Sequence, residues 1–204
     1  MTKAVIPGSL GAIAAQSGAT LAQSFMQADA IVIVDTSSSM GERDADGPSA
    51  PRYTASWDDG LQPRAQTGRT RYQAACDELR KLQASLPGKI AVVSFSTIVK
   101  FCPGGVPENL NGGTNMAEAL AFVRPADGCG MKFFLISDGE PHDPDKTLAE
   151  ARRFTDPITT IFVGSGPGAA FLAKLAALTG GTTATKQIPQ LAAHIGGLLA
   201  ERAA

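Results

Sequence analysis

Asp35, Ser37 and Ser39 occupy alternate positions directly after the apolar run Ala30-Ile31-Val32-Ile33-Val34. An extended chain sends every second side chain to the same side, so the two hydroxyls can aim at one point beside the carboxylate. Two more oxygen donors stand in comparable settings. Thr114 follows Gly112-Gly113 and precedes a helical pattern, and Asp138 follows the apolar run Met131-Lys-Phe-Phe-Leu-Ile-Ser137. Carboxylate and hydroxyl oxygens suit a small hard cation, Mg²⁺ above all or Mn²⁺ in its place. Two carboxylates and three neutral hydroxyls carry too little charge for a closed protein cage. The ion would keep waters and remain open to a carboxylate from outside. Such a site is expected at the molecular surface.

The elements that would carry these residues alternate in type. Strand-like runs fall at 30–34, 89–95, 98–101, 131–136, 159–163 and 182–185. Most are separated by helical or turn segments, the pattern of a largely parallel sheet with helices on both faces. Run 98–101 follows its predecessor too closely for a helical crossover, so it is expected as an antiparallel edge strand. Asp35 and Asp138 then sit at the carboxyl ends of two central strands, where doubly wound sheets bind ligands. Helix starts are signalled by Thr70 with Gln73, by Asn115 with Glu118, and by Asp143 before Pro144. The first two read as capping boxes. With Asn115 as the cap, the Thr114 hydroxyl is left for the ion. Residues 167–178 and 189–202 read as two closing helices.

Two segments fall outside the alternation. Residues 1–28 hold an amphipathic pattern with Leu10, Ile13, Leu21 and Phe25, expected to pack on the domain's own surface. Residues 41–69 form a long insertion rich in Gly, Pro, Asp and Arg. Connections of this length are functional or disordered. Arg52, Tyr53, Trp57 and Arg64 within it are the residue types enriched as interface anchors, and both ends of the insertion leave from the ligand side of the sheet.

Composition narrows the function classes. The chain has 204 residues, a net charge of −1 and 44% hydrophobic residues, which fits a single globular unit, residues 29–204, with an N-terminal appendage. The charge balance gives no case for nucleic acid or an anionic membrane, and no apolar run reaches the ~20 residues of a membrane span. Cys76, Cys102 and Cys129 are an odd set without metal spacing, expected as reduced thiols in a cytoplasmic protein.

The combination of Asp35-x-Ser37-x-Ser39, Gly112-Gly113-Thr114 and Ser137-Asp138-Gly139 resembles the metal-ion-dependent adhesion site of von Willebrand factor A (vWA) domains. The resemblance covers roughly residues 29–202, with 41–69 as an insertion, and extends to Val93-Ser94-Phe95-Ser96 and Leu135-Ile136-Ser137-Asp138-Gly139-Glu140-Pro141. It departs at Ser38, where glycine is common. The continuation Glu140-Pro141-His142-Asp143 is closer to intracellular bacterial members than to secreted ones. The resemblance implies a Rossmann-like fold. It also implies direct ligation by Ser37 and Ser39, and direct or water-mediated ligation by Thr114, Asp35 and Asp138. The function implied is capture of an acidic residue of a partner protein, with an AAA+ ATPase or an operon-encoded complex as candidate partner.

Rival readings are weaker. Asp35 as the nucleophile of a Mg²⁺-dependent phosphotransferase would resemble the haloacid dehalogenase superfamily, but Ser37 stands where that chemistry needs a second aspartate. No catalytic residue is therefore assigned. Gly164-Ser-Gly166-Pro-Gly168 follows a strand as a dinucleotide fingerprint does, yet it comes late in the sheet without an acidic partner. It reads as a tight strand-to-helix turn. Asp44-Ala-Asp46-Gly47 is a fragment of a calcium loop without the remaining ligands.

Overall fold

The computed structural model describes residues 5–18, 20–43, 68–164, 168–185 and 190–200. Among them six strands form one sheet: β1 (Ala30–Asp35), β2 (Ile90–Phe95), β3 (Val99–Phe101), β4 (Lys132–Ser137), β5 (Ile158–Phe162) and β6 (Thr183–Thr185). Their order is β3-β2-β1-β4-β5-β6. All pairings are parallel except β2 with β3, where Phe95 lies opposite Val99 and Val93 opposite Phe101. This is the Rossmann-like, doubly wound sheet with one antiparallel edge strand that the alternating pattern predicts.

The order reverses at β1. From it the chain winds outward to β2 on one side and later to β4 on the other, which opens a crevice beyond the carboxyl ends of β1 and β4. Asp35 ends β1 and Asp138 directly follows β4, so the topology alone brings the two carboxylates to that crevice.

β1 is buried on both faces, which explains its unbroken apolar sequence. Ile31 and Ile33 enter one core with Met116 and Leu120 of α4 (Met116–Val123) and with Leu172 and Leu175 of α6 (Gly168–Leu178). Ala30, Val32 and Val34 enter the other, with Leu79 and Leu82 of α3 (Arg71–Ser85) and Leu191 and Ile195 of α7 (Leu191–Ala200). Each fully buried Val or Ile contributes about 1.5–3 kcal/mol. The strand that delivers Asp35 is thereby firmly seated in the sheet.

The helix starts are set by local chemistry. Thr70 accepts from Gln73 N–H at 3.0 Å while the Gln73 side chain accepts from Thr70 N–H at 3.0 Å, a full capping box. Asn115 accepts from Glu118 N–H at 3.4 Å, and its cap is one-sided rather than reciprocal. Asp143 caps α5 (Pro144–Ala151) through Lys146 N–H.

At the N-terminus, α1 (Leu10–Ser17) and α2 (Leu21–Met26) lie against the opposite end of the sheet. The connection is built by backbone. Ile6 N–H donates to Gly104, Gly11 N–H to Pro103 and Gly88 N–H to Gly8. Gly11 is required there, since a Cβ would stand 2.9 Å from the Pro103 carbonyl oxygen. Leu10, 1% exposed, joins the core outright rather than covering it. Leu10→Ala is expected to cost about 2–5 kcal/mol in urea unfolding, as for other core leucines. A loss under about 0.5 kcal/mol, typical of surface positions, would show the N-terminal segment to be a loose appendage.

Candidate functional site

Asp35 is 0% exposed, so the expected surface carboxylate is in fact a buried one. Its environment accounts for this. Oδ1 accepts Ser37 N–H at 2.8 Å and Oδ2 accepts the Ser137 hydroxyl at 2.6 Å. Burial pushes its carboxyl from 3.8 up to about 6, although the hydrogen bonds from Ser137 and Ser37 pull the other way.

The Ser37 N–H bond turns the chain immediately after β1 into the 3₁₀ turn Ser38–Gly41. That turn sets the Ser37 and Ser39 hydroxyls 3.1 Å apart. Ser39 donates to Asp138 Oδ1 at 2.8 Å, so one chain of oxygens runs from the loop after β1 to the loop after β4. Ser37 is buried and Ser39 is exposed, which gives the cluster an open side.

The loop carrying Thr114 is held between the other two. Ser38 N–H donates to the Gly112 carbonyl at 3.1 Å, and Gly112 N–H returns a bond to Ser38 Oγ at 3.0 Å. Asn115 N–H donates to Ser96 O, and His142 N–H donates to Thr114 O at 2.9 Å. Gly112, at φ +94°, has no room for a Cβ, which would meet Thr97 Oγ1 at 2.6 Å. Thr114 is half-buried at this junction.

A cation of the protein's own completes the cluster. Arg71, the first residue of α3 and 5% exposed, donates from Nη1 to Asp138 Oδ2 at 2.6 Å and pairs through Nη2 with Glu42 Oε2 at 2.8 Å. Gly164, at φ +103°, lies against this guanidinium; a Cβ there would come within 2.8 Å of its central carbon. Gly168 is similarly pressed on Gly139, with 2.7 Å left for a Cβ. Gly164 and Gly168 therefore make room for the site's own parts.

Of the residues singled out from sequence, Asp35, Ser37, Ser39 and Asp138 meet in one hydrogen-bonded cluster, and Thr114 stands on the loop stitched to it. Arg52, Tyr53, Trp57 and Arg64 lie outside the described residues. Arg71, Glu42, Ser137 and Ser38 escaped the sequence reading. Ser137 directly precedes Asp138 and carried a signal of its own, a hydroxyl directly after the apolar stretch Phe133–Ile136. Arg71 read only as an ordinary early helix position.

The donors are hydroxyl and carboxylate oxygens without nitrogen or sulfur, which fits a hard divalent cation. Among the described residues no three His, Cys, Asp or Glu side chains are arranged to hold a metal ion by themselves, so an ion here would depend on the serine and threonine hydroxyls.

No family profile and no curated sequence matches this chain. Solved structures do. An aerotolerance-related membrane protein from Bacteroides fragilis aligns with a TM-score of 0.55 at 12% identity, over 85% of this chain and 99% of that one. The ArnB paralog VWA2 from Sulfolobus acidocaldarius aligns at 0.55 and 19%, over 82% of this chain and 43% of its own length. Proximal thread matrix protein 1 from the mussel byssus, with a zinc-occupied adhesion-site motif, aligns at 0.55 and 20%, over 83% and 47%. This chain has the vWA fold. It spans less than half the length of the Sulfolobus and mussel proteins. Among its described residues no helix is long and apolar enough to cross a membrane.

The raised Asp35 carboxyl has a measurable consequence. The folded chain holds a proton that the unfolded chain releases, so the stability linked to this group is complete below about pH 4 and lost as pH rises through about 6. A shift from 3.8 to about 6 corresponds to about 3 kcal/mol. Urea unfolding of chelator-treated protein between pH 4 and 7 should show a decline of that order, absent in Asp35→Asn. An identical pH profile in the variant would place the titration elsewhere.

Proposed function

We propose that this chain is a protein-binding module that captures an Asp or Glu side chain of its partner through a divalent cation, Mg²⁺ or Mn²⁺, held by Asp35, Ser37, Ser39, Thr114 and Asp138. The observation that carries this reading is the oxygen chain Ser37–Ser39–Asp138, closed by bonds of 3.1 and 2.8 Å at the crevice between β1 and β4 and open on the Ser39 side. The zinc-occupied motif of the mussel protein supports a divalent ion at such a site. An ion held mainly by neutral hydroxyls keeps a positive charge, and an incoming carboxylate satisfies it. The partner class stays as the sequence resemblance implies: a protein with an exposed acidic residue, such as an AAA+ ATPase or an operon-encoded complex.

Catalysis is not part of this reading. Asp35 as a phosphoryl acceptor would need a second carboxylate two residues on as general acid, and Ser37 supplies none.

Calorimetric titration with Mg²⁺ and with Mn²⁺ tests the site. Ser39→Ala, at an exposed position, should leave the fold intact and weaken binding at least about tenfold, roughly 1.4 kcal/mol. Asp35→Asn should abolish it. Unchanged affinity in both variants would sink the assignment.

The insertion is assigned to partner choice. Its neck is closed beside the cluster: Arg43 Nη1 donates to Gly68 O at 2.6 Å, and Arg71 N–H donates to Glu42 O at 3.0 Å. Whatever residues 44–67 contact, they depart from and return to the rim of the metal loop. Replacing residues 44–67 with a short Gly-Ser linker should preserve metal binding and weaken the partner, identified as what co-purifies in Mg²⁺ and is lost in chelator, by about tenfold. Equal partner affinity in the shortened protein would reduce the segment to a tether.

A further inference from the structure

We infer that Arg71 is a built-in rival to the metal ion, and that Glu42 sets the strength of this rivalry, so that divalent affinity is coupled to the neck of the 44–67 segment. The inference rests on the metal-binding reading above.

The position of Arg71 is not explained by its helix. It is the first residue of α3, and a cation at a helix N-terminus faces the positive end of the macrodipole. It is held there by two carboxylates of unequal exposure. The Asp138 side chain is 0% exposed, the Glu42 side chain 61%. Gly164 adds a third constraint, since only a residue without a Cβ lets the guanidinium occupy this place.

The guanidinium and the serine cluster share one carboxylate. Asp138 gives Oδ2 to Arg71 and Oδ1 to Ser39, so a divalent ion drawn to the cluster sits one carboxylate away from a fixed positive charge. The two cations repel, and in a buried setting that repulsion is screened less than at the surface. Glu42 opposes it by setting a negative charge 2.8 Å from the guanidinium on its solvent side. Asp35, Glu42 and Asp138 bring three negative charges against one positive from Arg71, so Glu42 offsets the guanidinium and leaves the two deep carboxylates for the ion.

Glu42 also belongs to the neck. Its carbonyl accepts Arg71 N–H, and the adjacent Arg43 reaches Gly68 O.

Mn²⁺ titration of the full chain, read by calorimetry and by the Mn²⁺ electron paramagnetic resonance signal, decides the matter. Arg71→Met should tighten Mn²⁺ binding by about tenfold or more. Arg71→Lys, which keeps the charge, should stay within about threefold of the parent chain. Glu42→Gln should weaken binding several-fold, and that weakening should vanish in the Arg71→Met background. Unchanged or weaker binding in Arg71→Met would overturn the inference and leave Arg71 as a brace for Asp138. If Arg71→Met does not fold, Glu42→Gln alone decides, because its exposed side chain can be altered without touching the core; unchanged affinity there overturns the coupling. A parent chain that binds no Mn²⁺ fails the metal-binding reading itself, whereas binding that ignores Arg71 and Glu42 fails only this inference.

Discussion

A carboxylate at the end of a strand buried on both faces has to be satisfied by protein, because no water reaches it. Asp35 is in that position, and the loops around it are shaped by the need. Its first oxygen takes the N–H of Ser37, which turns the chain and sets Ser37 and Ser39 side by side. Its second takes the hydroxyl of Ser137, which fixes β4 at the point where Asp138 follows. An unpaired buried charge would be far more costly than these bonds are favourable, so the loops have little freedom to be elsewhere. The geometry of the hydroxyl cluster is therefore a consequence of burying Asp35.

The cost is only partly offset. Asp35 retains a carboxyl pushed up to about 6, which means the hydrogen bonds do not fully replace the lost water. Sites with such residual strain are usually those whose charge is used. The surrounding backbone shows the same pressure. Gly112, Gly164 and Gly168 each occupy positions where a Cβ would overlap a neighbouring part of the crevice, and the first two also take positive φ. Among the described residues the rim is packed, and Ser39 is exposed on its open side.

The fold was legible because it follows from periodicity and connection length. Unbroken apolar runs separated by helical patterns define a parallel sheet. The short 96–98 link forces β3 to return antiparallel, and strand order at β1 then fixes the crevice. The ligand candidates were legible because hydroxyls and carboxylates after apolar strands stand out against their surroundings. What stayed hidden depends on pairs far apart in sequence. Arg71 and Asp138 are 67 residues apart, and nothing in the helix pattern around Arg71 distinguishes a buried guanidinium from a solvated one. Ser38, which departs from the glycine common in the resembling family, also gave no hint. Its use emerges only where it exchanges bonds with Gly112, 74 residues on. The burial of Asp35 was misjudged for a related reason. A strand end usually means surface, but here Ser37 and Ser137 close on both of its oxygens and it is fully buried.

The charges around the crevice are arranged in depth. Asp35 and Asp138 lie deepest, Arg71 lies beside Asp138, and Glu42 lies outermost. A guanidinium between an inner and an outer carboxylate lowers the electrostatic cost of keeping two deep acids near each other. Without it, the charge of Asp138 would weigh more heavily on Asp35, whose proton affinity it already raises. The same guanidinium limits how strongly the pair can hold a second cation. A site with only the two acids would favour a tightly bound, well-neutralised ion with little appetite for an external ligand. With Arg71 in place, the ion of the proposed reading would be left short of negative charge, and a carboxylate from outside is the natural group to supply it. On that reading deep stabilisation and outward reactivity would arise from one side chain, for which Gly164, without a Cβ, leaves room.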